Sequence, residues 1–280
     1  MSTTSSERSY ETVRVEHDRA VATIVLDRPQ ARNALSMQLK SDLAQAIAAV
    51  RDDDRVRTVI LTGEGPAFCA GGDIKEMASG RPAYEYRSRL LTVLESIAIP
   101  LARMPKPVIA AINGHAHGAG VSLAACCDIS IAAEDATFSL AFVRMGLIPD
   151  VTALYFLPRI IGTNRVKELV FTGDRLSAQE AARIGLVNRV VPTDTLRDAA
   201  MELAQTLSEG PPMSYELSKR LIDQSLHVSL EDMVQLEAYA QAIAFSTPEH
   251  TEGVAAYLER RPARFTAVSP HGAKTEGDRE

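Results

Sequence analysis

Twice in this chain a short apolar run leads into a glycine-containing loop and then into a helical pattern, and this repetition constrains the fold most. The first run, Val56–Leu61, opens onto the segment Gly63 to Lys75, with glycines at 63, 65, 71 and 72. The second, Val108–Ile112, opens onto Asn113 to Ala124, with glycines at 114, 118 and 120. Both runs read as short buried strands. Small residues at such turns let a ligand approach the backbone, and free N–H groups at a helix start favour negative charge. Two such donors, one from each loop, converging on one point make an oxyanion hole. The same glycines also read as residues that only serve tight turns, and spacing leaves both readings open.

Around these loops the first half alternates strands with helices. Thr12–Glu16 and Val21–Leu26 read as a hairpin across His17-Asp18-Arg19-Ala20. Ser36 suits the N-cap of a helix whose apolar face carries Leu39, Leu43, Ile47 and Val50. A helix fits Tyr84–Ala102, kinked at Pro100 and stopped by Met104-Pro105-Lys106-Pro107. Ala119–Cys126 reads as another helix and Ile129–Ala132 as another strand. The second half is mostly helical. Ser177 to Glu180 spells a capping box with Gly185 at its exit. Gly210-Pro211-Pro212 precedes a helix over Met213–Leu226, Ser229 caps the next, and Thr247-Pro248 starts one over Glu249–Leu258. The expected organisation is an α/β core over residues 10–200 and a helical region over 201–268, with disordered tails at 1–9 and 269–280.

A chain of 280 residues buries enough surface to need no disulfide or metal staple. Its three cysteines, Cys69, Cys126 and Cys127, read as reduced thiols of a cytoplasmic protein. The formal charge of −6 argues against nucleic-acid or anionic-membrane partners, so a polyanionic ligand must meet a local patch. No apolar run has the length of a membrane span, and the first residues resemble no targeting peptide.

Other templates fit poorly. Gly118-Ala119-Gly120 lacks the third glycine of a dinucleotide fingerprint, and neither loop carries a P-loop lysine. His115 and His117 lack the partners of a zinc site, and no metal is expected. Gly120-Val121-Ser122-Leu123-Ala124 is close to a nucleophile elbow, but alanine ends it and no acid and histidine follow in order. Asp150 is an acid in an apolar stretch, where burial raises a carboxylate toward useful proton exchange. Pro149-Asp150 before Val151–Tyr155 reads equally as a helix N-cap. Asp73, Asp128 and Glu134 stand at element ends, where capping or solvation is the simpler role.

Several segments together resemble one family. They are Arg28-Pro29 with Asn33-Ala34-Leu35, Ala67 to Met77, Lys106 to Gly114, Gly118-Ala119-Gly120 with Cys127-Asp128, Thr172 to Ala178, and Glu180-Ala181 with Gly185-Leu186-Val187. In order and spacing, from about Val13 to Phe265, these resemble the enoyl-CoA hydratase/isomerase (crotonase) superfamily. The resemblance implies an α/β fold, a crotonase-like spiral of ββα turns with a C-terminal helical trimerisation region. It implies a homotrimer or dimer of trimers acting on an acyl-CoA thioester, with coenzyme A part of the substrate and no other cofactor. It implies that the N–H groups of Gly72 and Ala119 hold the thioester oxygen. Ala70, Asp73, Ile74, Lys75, Ser122, Phe142 and Val143 would line the CoA and acyl path.

The chain departs from the family's hydratases where their two glutamates stand, because the matching positions are Ser122 and Phe142. Neither is a base near neutral pH. The remaining acid, Asp150, ends a Gly-Leu-Ile-Pro-Asp run similar to that of isomerases forming oxepins from ring epoxides. One carboxylate that takes and returns a proton suits allylic isomerisation, whereas adding water is easier with two groups. Haloaromatic acyl-CoA dehalogenases also have Asp there, as a nucleophile, and would need a second group such as Glu95. The favoured expectation is an isomerase with Asp150 as acid/base. The rivals are a hydratase with atypical acids, a silent acyl-CoA-binding protein, and a Ser122 hydrolase.

Overall fold

A computed structural model describes residues 10–77, 80 and 82–267. Both expected tails lie outside the described residues. The chain opens with the expected hairpin, β1 (Val13–Asp18) antiparallel to β2 (Val21–Leu26). Helix α1 (Met37–Asp52) follows, with the Ser36 hydroxyl accepting the Leu39 N–H. Next come β3 (Thr58–Gly63), β4 (Ala67–Cys69), the single turn α2 (Ile74–Met77) and α3 (Ala83–Val93). A π-turn, Leu94–Ala98, joins α3 to α4 (Ile99–Ala102). The pattern then repeats as β5 (Val108–Ile112), β6 (His115–His117) and α5 (Ala119–Ala125), and again as β7 (Ile129–Ala133), β8 (Thr137–Ser139), α6 (Ala153–Ile161) and α7 (Thr163–Thr172). β9 (Arg175–Ser177), α8 (Ala178–Arg183) and β10 (Arg189–Val191) complete the strands, and α9 (Leu196–Ser208), α10 (Pro212–Gln224), α11 (Leu230–Phe245) and α12 (Pro248–Glu259) end the fold.

Each repeat contributes one strand to each of two sheets. The large sheet has the order β1-β2-β3-β5-β7-β10, parallel except for the hairpin, and the small sheet runs β4-β6-β8-β9. Strand, strand, helix, repeated with a shift of one sheet position per turn, is a spiral of ββα units. The central strands are buried on both faces, which explains their unbroken apolar runs. Val59, Leu61, Val108, Ala110 and Ile112 face the main core with α1 and α5, whereas Ile60, Ile109 and Ile131 face α9. Leu196, Ala200 and Ala204 of α9 close that outer core, so the division expected at residue 200 falls inside a helix packed on the sheet.

Three sequence expectations need correction. The two glycine loops are not loops throughout, because each contains a three-residue strand of the small sheet, β4 or β6, too short to show a periodicity. The helix over residues 84–102 is not simply kinked at Pro100. The Ile99 N–H reaches back five residues to the Leu94 carbonyl, and this wide turn accommodates the proline that follows. Helix α6 was foreseen only as a possible helix start after Asp150, and α7 not at all, since Pro158 sits inside α6 and Gly162 interrupts the pair.

Candidate active site

The two glycine segments meet. Gly71 lies so close to the second segment that a Cβ there would stand 2.9 Å from the His117 carbonyl oxygen and 3.4 Å from the Ala119 nitrogen. Gly120 packs onto β4, where a Cβ would fall 2.1 Å from the Cys69 carbonyl oxygen. Gly118 has φ +53°, and its N–H donates to the Ser139 carbonyl at 2.8 Å, which anchors the turn ahead of α5. Close approach, not turn-making alone, is what these glycines provide. Ala119 is the first residue of α5, where an N–H has no acceptor within its own helix.

Gly72 is held from the other side. The Leu35 N–H donates to the Gly71 carbonyl at 2.8 Å, and Leu35 bridges to Gly72 as a parallel partner. Asn33, fully buried in the left-handed region, fixes that stretch: its side chain accepts from the Arg28 N–H and donates to the Glu64 and Ala67 carbonyls. Arg28 in turn pairs with Asp73 at 2.6 Å. Arg28 first, with support from the Lys75 N–H, holds the Asp73 carboxyl below its ordinary range. The Asp73 carboxylate is therefore engaged in structure. Ile74 is 63% exposed, Lys75 is exposed and Ala70 half-buried, its N–H donating to the Arg32 carbonyl.

Asp150 stands in the turn before α6, half-buried, with Oδ1 buried and without a hydrogen-bond partner. The N-cap reading is overturned: the cap residue of α6 is Thr152, at φ +64°, and no side chain caps the helix. Val151 and Thr152 both occupy the left-handed region, a costly conformation for β-branched residues. Burial pushes the Asp150 carboxyl up, offset in part by the Lys40 ammonium and its own backbone N–H. The Cys126 thiol lies 3.2 Å from the Thr152 hydroxyl and also donates to the Ser122 carbonyl, so the Asp150–Thr152 turn abuts the face of α5 that carries Ser122.

Ser122 is fully buried, and its hydroxyl has no hydrogen-bond partner. Among the described residues no histidine bonds it, and His115 and His117 both bond the Thr137 hydroxyl, at 2.8 and 3.1 Å. The base of a hydrolase triad is thus engaged elsewhere. The Phe142 ring comes 3.7 Å from the Cβ position at Gly118, beside the second glycine segment. Val143, in the same 3₁₀ turn, instead packs 3.2 Å from the Cβ position at Gly173. Glu95 is exposed on the π-turn. Among the described residues no cluster of three or more His, Cys, Asp or Glu has a metal-holding arrangement.

Two groups escaped the sequence reading. Lys40, on α1, is half-buried, and the local sequence gave no sign of it, since a lysine beside an apolar stripe is normally solvated. The positioning role of Arg28 also depends on contacts that only folding makes.

Glycine segments converging from the two sheets can bring two backbone N–H donors toward one acceptor oxygen. The family model described as Enoyl-CoA hydratase/isomerase matches residues 16–268, and the chain belongs to that family. It is 36% identical to 1,2-epoxyphenylacetyl-CoA isomerase of Escherichia coli (strain K12), over 89% of this chain and 96% of the relative. It is also 36% identical to crotonyl-CoA hydratase of Syntrophomonas wolfei, over 92% and 98%. An enoyl-CoA hydratase/isomerase structure from Cupriavidus metallidurans CH34 superposes with a TM-score of 0.86 at 36% identity, covering 92% of this chain and 97% of that one.

Proposed function

We propose that this enzyme is an acyl-CoA isomerase that shifts a double bond, or a ring-derived equivalent, through a thioester enolate. The observation that carries the reading is one half-buried acid whose Oδ1 is buried. Asp150 has an unpartnered oxygen and a carboxyl raised by burial, while Ser122 and Phe142 stand at the positions that match the two glutamates of the family's hydratases. In this mechanism the thioester oxygen accepts hydrogen bonds from the Gly72 and Ala119 N–H groups. Negative charge grows on that oxygen as a proton leaves carbon, and preorganised donors stabilise it most there. The Asp150 carboxylate takes the proton from one carbon and, now neutral, returns it to another, so no water or second base is consumed. The raised carboxyl brings the acid closer to the carbon acid it serves.

The CoA moiety would run along Gly72–Lys75, and Phe142 and Val143 would give the acyl group an apolar wall. The exposed apolar side chains Ile74, Met77, Met145, Leu147 and Ile148 offer a rim for such a ligand or for a neighbouring subunit. The exposed apolar faces of α10–α12 support self-association, and a homotrimer or dimer of trimers and a cytoplasmic location belong to the same proposal.

Proton exchange by NMR in D₂O, with 2- and 3-unsaturated acyl-CoAs, tests the reading. Label is expected at the α or γ carbon, with a loss of at least about 10³-fold in Asp150→Asn, as for removal of an essential acid/base. Full activity in that variant would sink the mechanism. Hydration is the second reading, favoured by the likeness to crotonyl-CoA hydratase. Incorporation of solvent oxygen into product would establish it. Tight binding with no exchange from any acyl-CoA would instead identify a silent binding protein.

A further inference from the structure

The small sheet carries a group of unpaired cations that the proposed chemistry has not used. Strands β6, β8 and β9 lie side by side, with His117 opposite Ser139 and Ser139 opposite Arg175. Residues aligned in this way share one face of a sheet, and so do residues two apart along a strand. His117, Thr137, Ser139 and Arg175 therefore lie on one face, and buried Ala116 and Phe138 on the other. With strands ~4.8 Å apart, His117 and Arg175 flank Ser139 across roughly 10 Å. The Ser139 hydroxyl donates to the Gly173 carbonyl at 3.0 Å, and Arg144 Nε lies 3.2 Å from the Cβ position of that same Gly173. Arg144, Arg175 and His117 thus surround one buried serine.

Gly173 is the C-cap of α7, where an arginine ordinarily donates to the last carbonyls. Arg144 makes no such bond. Among the described residues, neither Arg144 nor Arg175 has a side-chain hydrogen bond or an ion pair, and both are exposed. Neighbouring acids are engaged elsewhere: Glu180 caps α8 at Ser177, and Asp135 accepts from Thr193. His117 registers the missing counter-charge, since burial first, then His115, Arg175 and Arg32, push its imidazole down to about 4 with no acid opposing them.

The group stands at the end of a path that begins at the oxyanion turn. Gly118 donates its N–H to the Ser139 carbonyl at 2.8 Å, and the Phe142 ring stands 3.7 Å from the Gly118 Cβ position. Phe142, Val143 and Arg144 are consecutive in one 3₁₀ turn. An acyl group that leaves the thioester along Phe142 and Val143 therefore meets Arg144 next. The CoA moiety, along Gly72–Lys75, leaves from the β4 side of β6, away from β8 and β9. Guanidiniums gathered without a counter-charge repel one another, and in a chain of net charge −6 they suit a ligand that brings its own anion. Their forked donors match a carboxylate.

We propose that this face is a specificity subsite for an anionic acyl terminus: Arg144 and Arg175 receive a free carboxylate at the far end of the acyl group, with His117 beside it. The preferred substrates are then CoA thioesters of dicarboxylic acids. This deepens the acyl-CoA reading and rests on Phe142 and Val143 lining the acyl path.

Calorimetric titration of the full chain compares adipoyl-CoA with hexanoyl-CoA and suberoyl-CoA with octanoyl-CoA, pairs that differ only at the acyl terminus. At least one carboxylated ligand should bind about tenfold more tightly than its partner, and added salt should shrink the preference. In Arg144→Gln and Arg175→Gln the preference should fall to about twofold or less, with hexanoyl-CoA and octanoyl-CoA binding as before. The His117 imidazole, followed by NMR, should titrate at higher pH with the carboxylated ligand bound. Equal affinity within both pairs overturns the proposal and leaves the isomerase reading standing, because proton exchange at the acyl carbons is measured separately. Failure of all four thioesters to bind would reject the acyl-CoA reading and the subsite with it. A His117 response to inorganic phosphate alone, without preference for carboxylated thioesters, marks a free-anion site and also overturns the proposal. So does a changed light-scattering mass in the two variants with the ligand preference intact, which assigns the arginines to a subunit contact.

Discussion

Asp150 shows what a buried, unpartnered carboxyl oxygen costs the fold. Its carboxyl is raised by burial, so the native state binds this proton more tightly than the unfolded chain does. The group's contribution is therefore most favourable below the ordinary carboxylate value, about 3.9, and is lost as pH rises through the raised native value. Asp150→Asn should consequently stabilise the enzyme, with a gain in Tm larger at pH 7 than at pH 4, while exchange disappears. Thermal unfolding at the two pH values checks the sign, and a larger gain at pH 4 would contradict it. The glycines provide a second residue-scale contrast. A methyl at Gly120 would press on the rigid Cys69 carbonyl, so Gly120→Ala should cost about 2 kcal/mol or more and disturb the Ala119 donor. A methyl at Gly72 would meet only the flexible end of Met77, and urea unfolding of Gly72→Ala should show less than about 1 kcal/mol of loss.

At the scale of elements, charged and polar side chains secure helix ends whose apolar faces do the packing. Ser177 and Glu180 form a reciprocal capping box on α8, and the Gly185 N–H closes its exit on the Ala182 carbonyl. Ser177→Ala should therefore cost about 1 kcal/mol in urea unfolding. Lys106 donates to the Val50 and Asp53 carbonyls at the end of α1, and Arg57 donates to the Ser208 and Gly210 carbonyls at the end of α9. Caps of this kind are local in sequence for Ser36, Ser177, Ser229 and Thr247, and all four were legible there. Those of Lys106 and Arg57 join positions more than 50 residues apart and were not. The same distinction separates the long central strands, visible as apolar runs, from β4 and β6, which only their neighbours make into strands.

For the whole molecule, the C-terminal helices are held to the core by few contacts. Lys219 of α10 pairs with Asp128 at 2.9 Å, whereas buried Glu249 of α12 receives the Met213 N–H of α10 and so ties two of these helices to each other. Neither α10 nor α11 contains a buried residue, although Ile222, Leu226, Val234, Tyr239, Ile243 and Phe245 lie exposed on the two helices and the segment after α10. Apolar surface of that extent marks an interface. The enzyme should run in light scattering at three or six times its chain mass, and Ile243→Glu should shift it toward smaller species. An unsubstituted protein that is monomeric at micromolar concentration would remove the trimer from the account.

The sequence by itself determined the α/β class, the buried parallel strands, most helix caps and the set of family motifs, because each depends on residues near one another along the chain. It also marked Asp150 as an acid among apolar neighbours. Only the tertiary structure decided that Asp150 is not the cap of α6, brought Gly71 against Ala119 and turned Asp73 toward Arg28. Those outcomes depend on which distant groups share a small, poorly solvated volume, and periodicity and propensity carry no record of that.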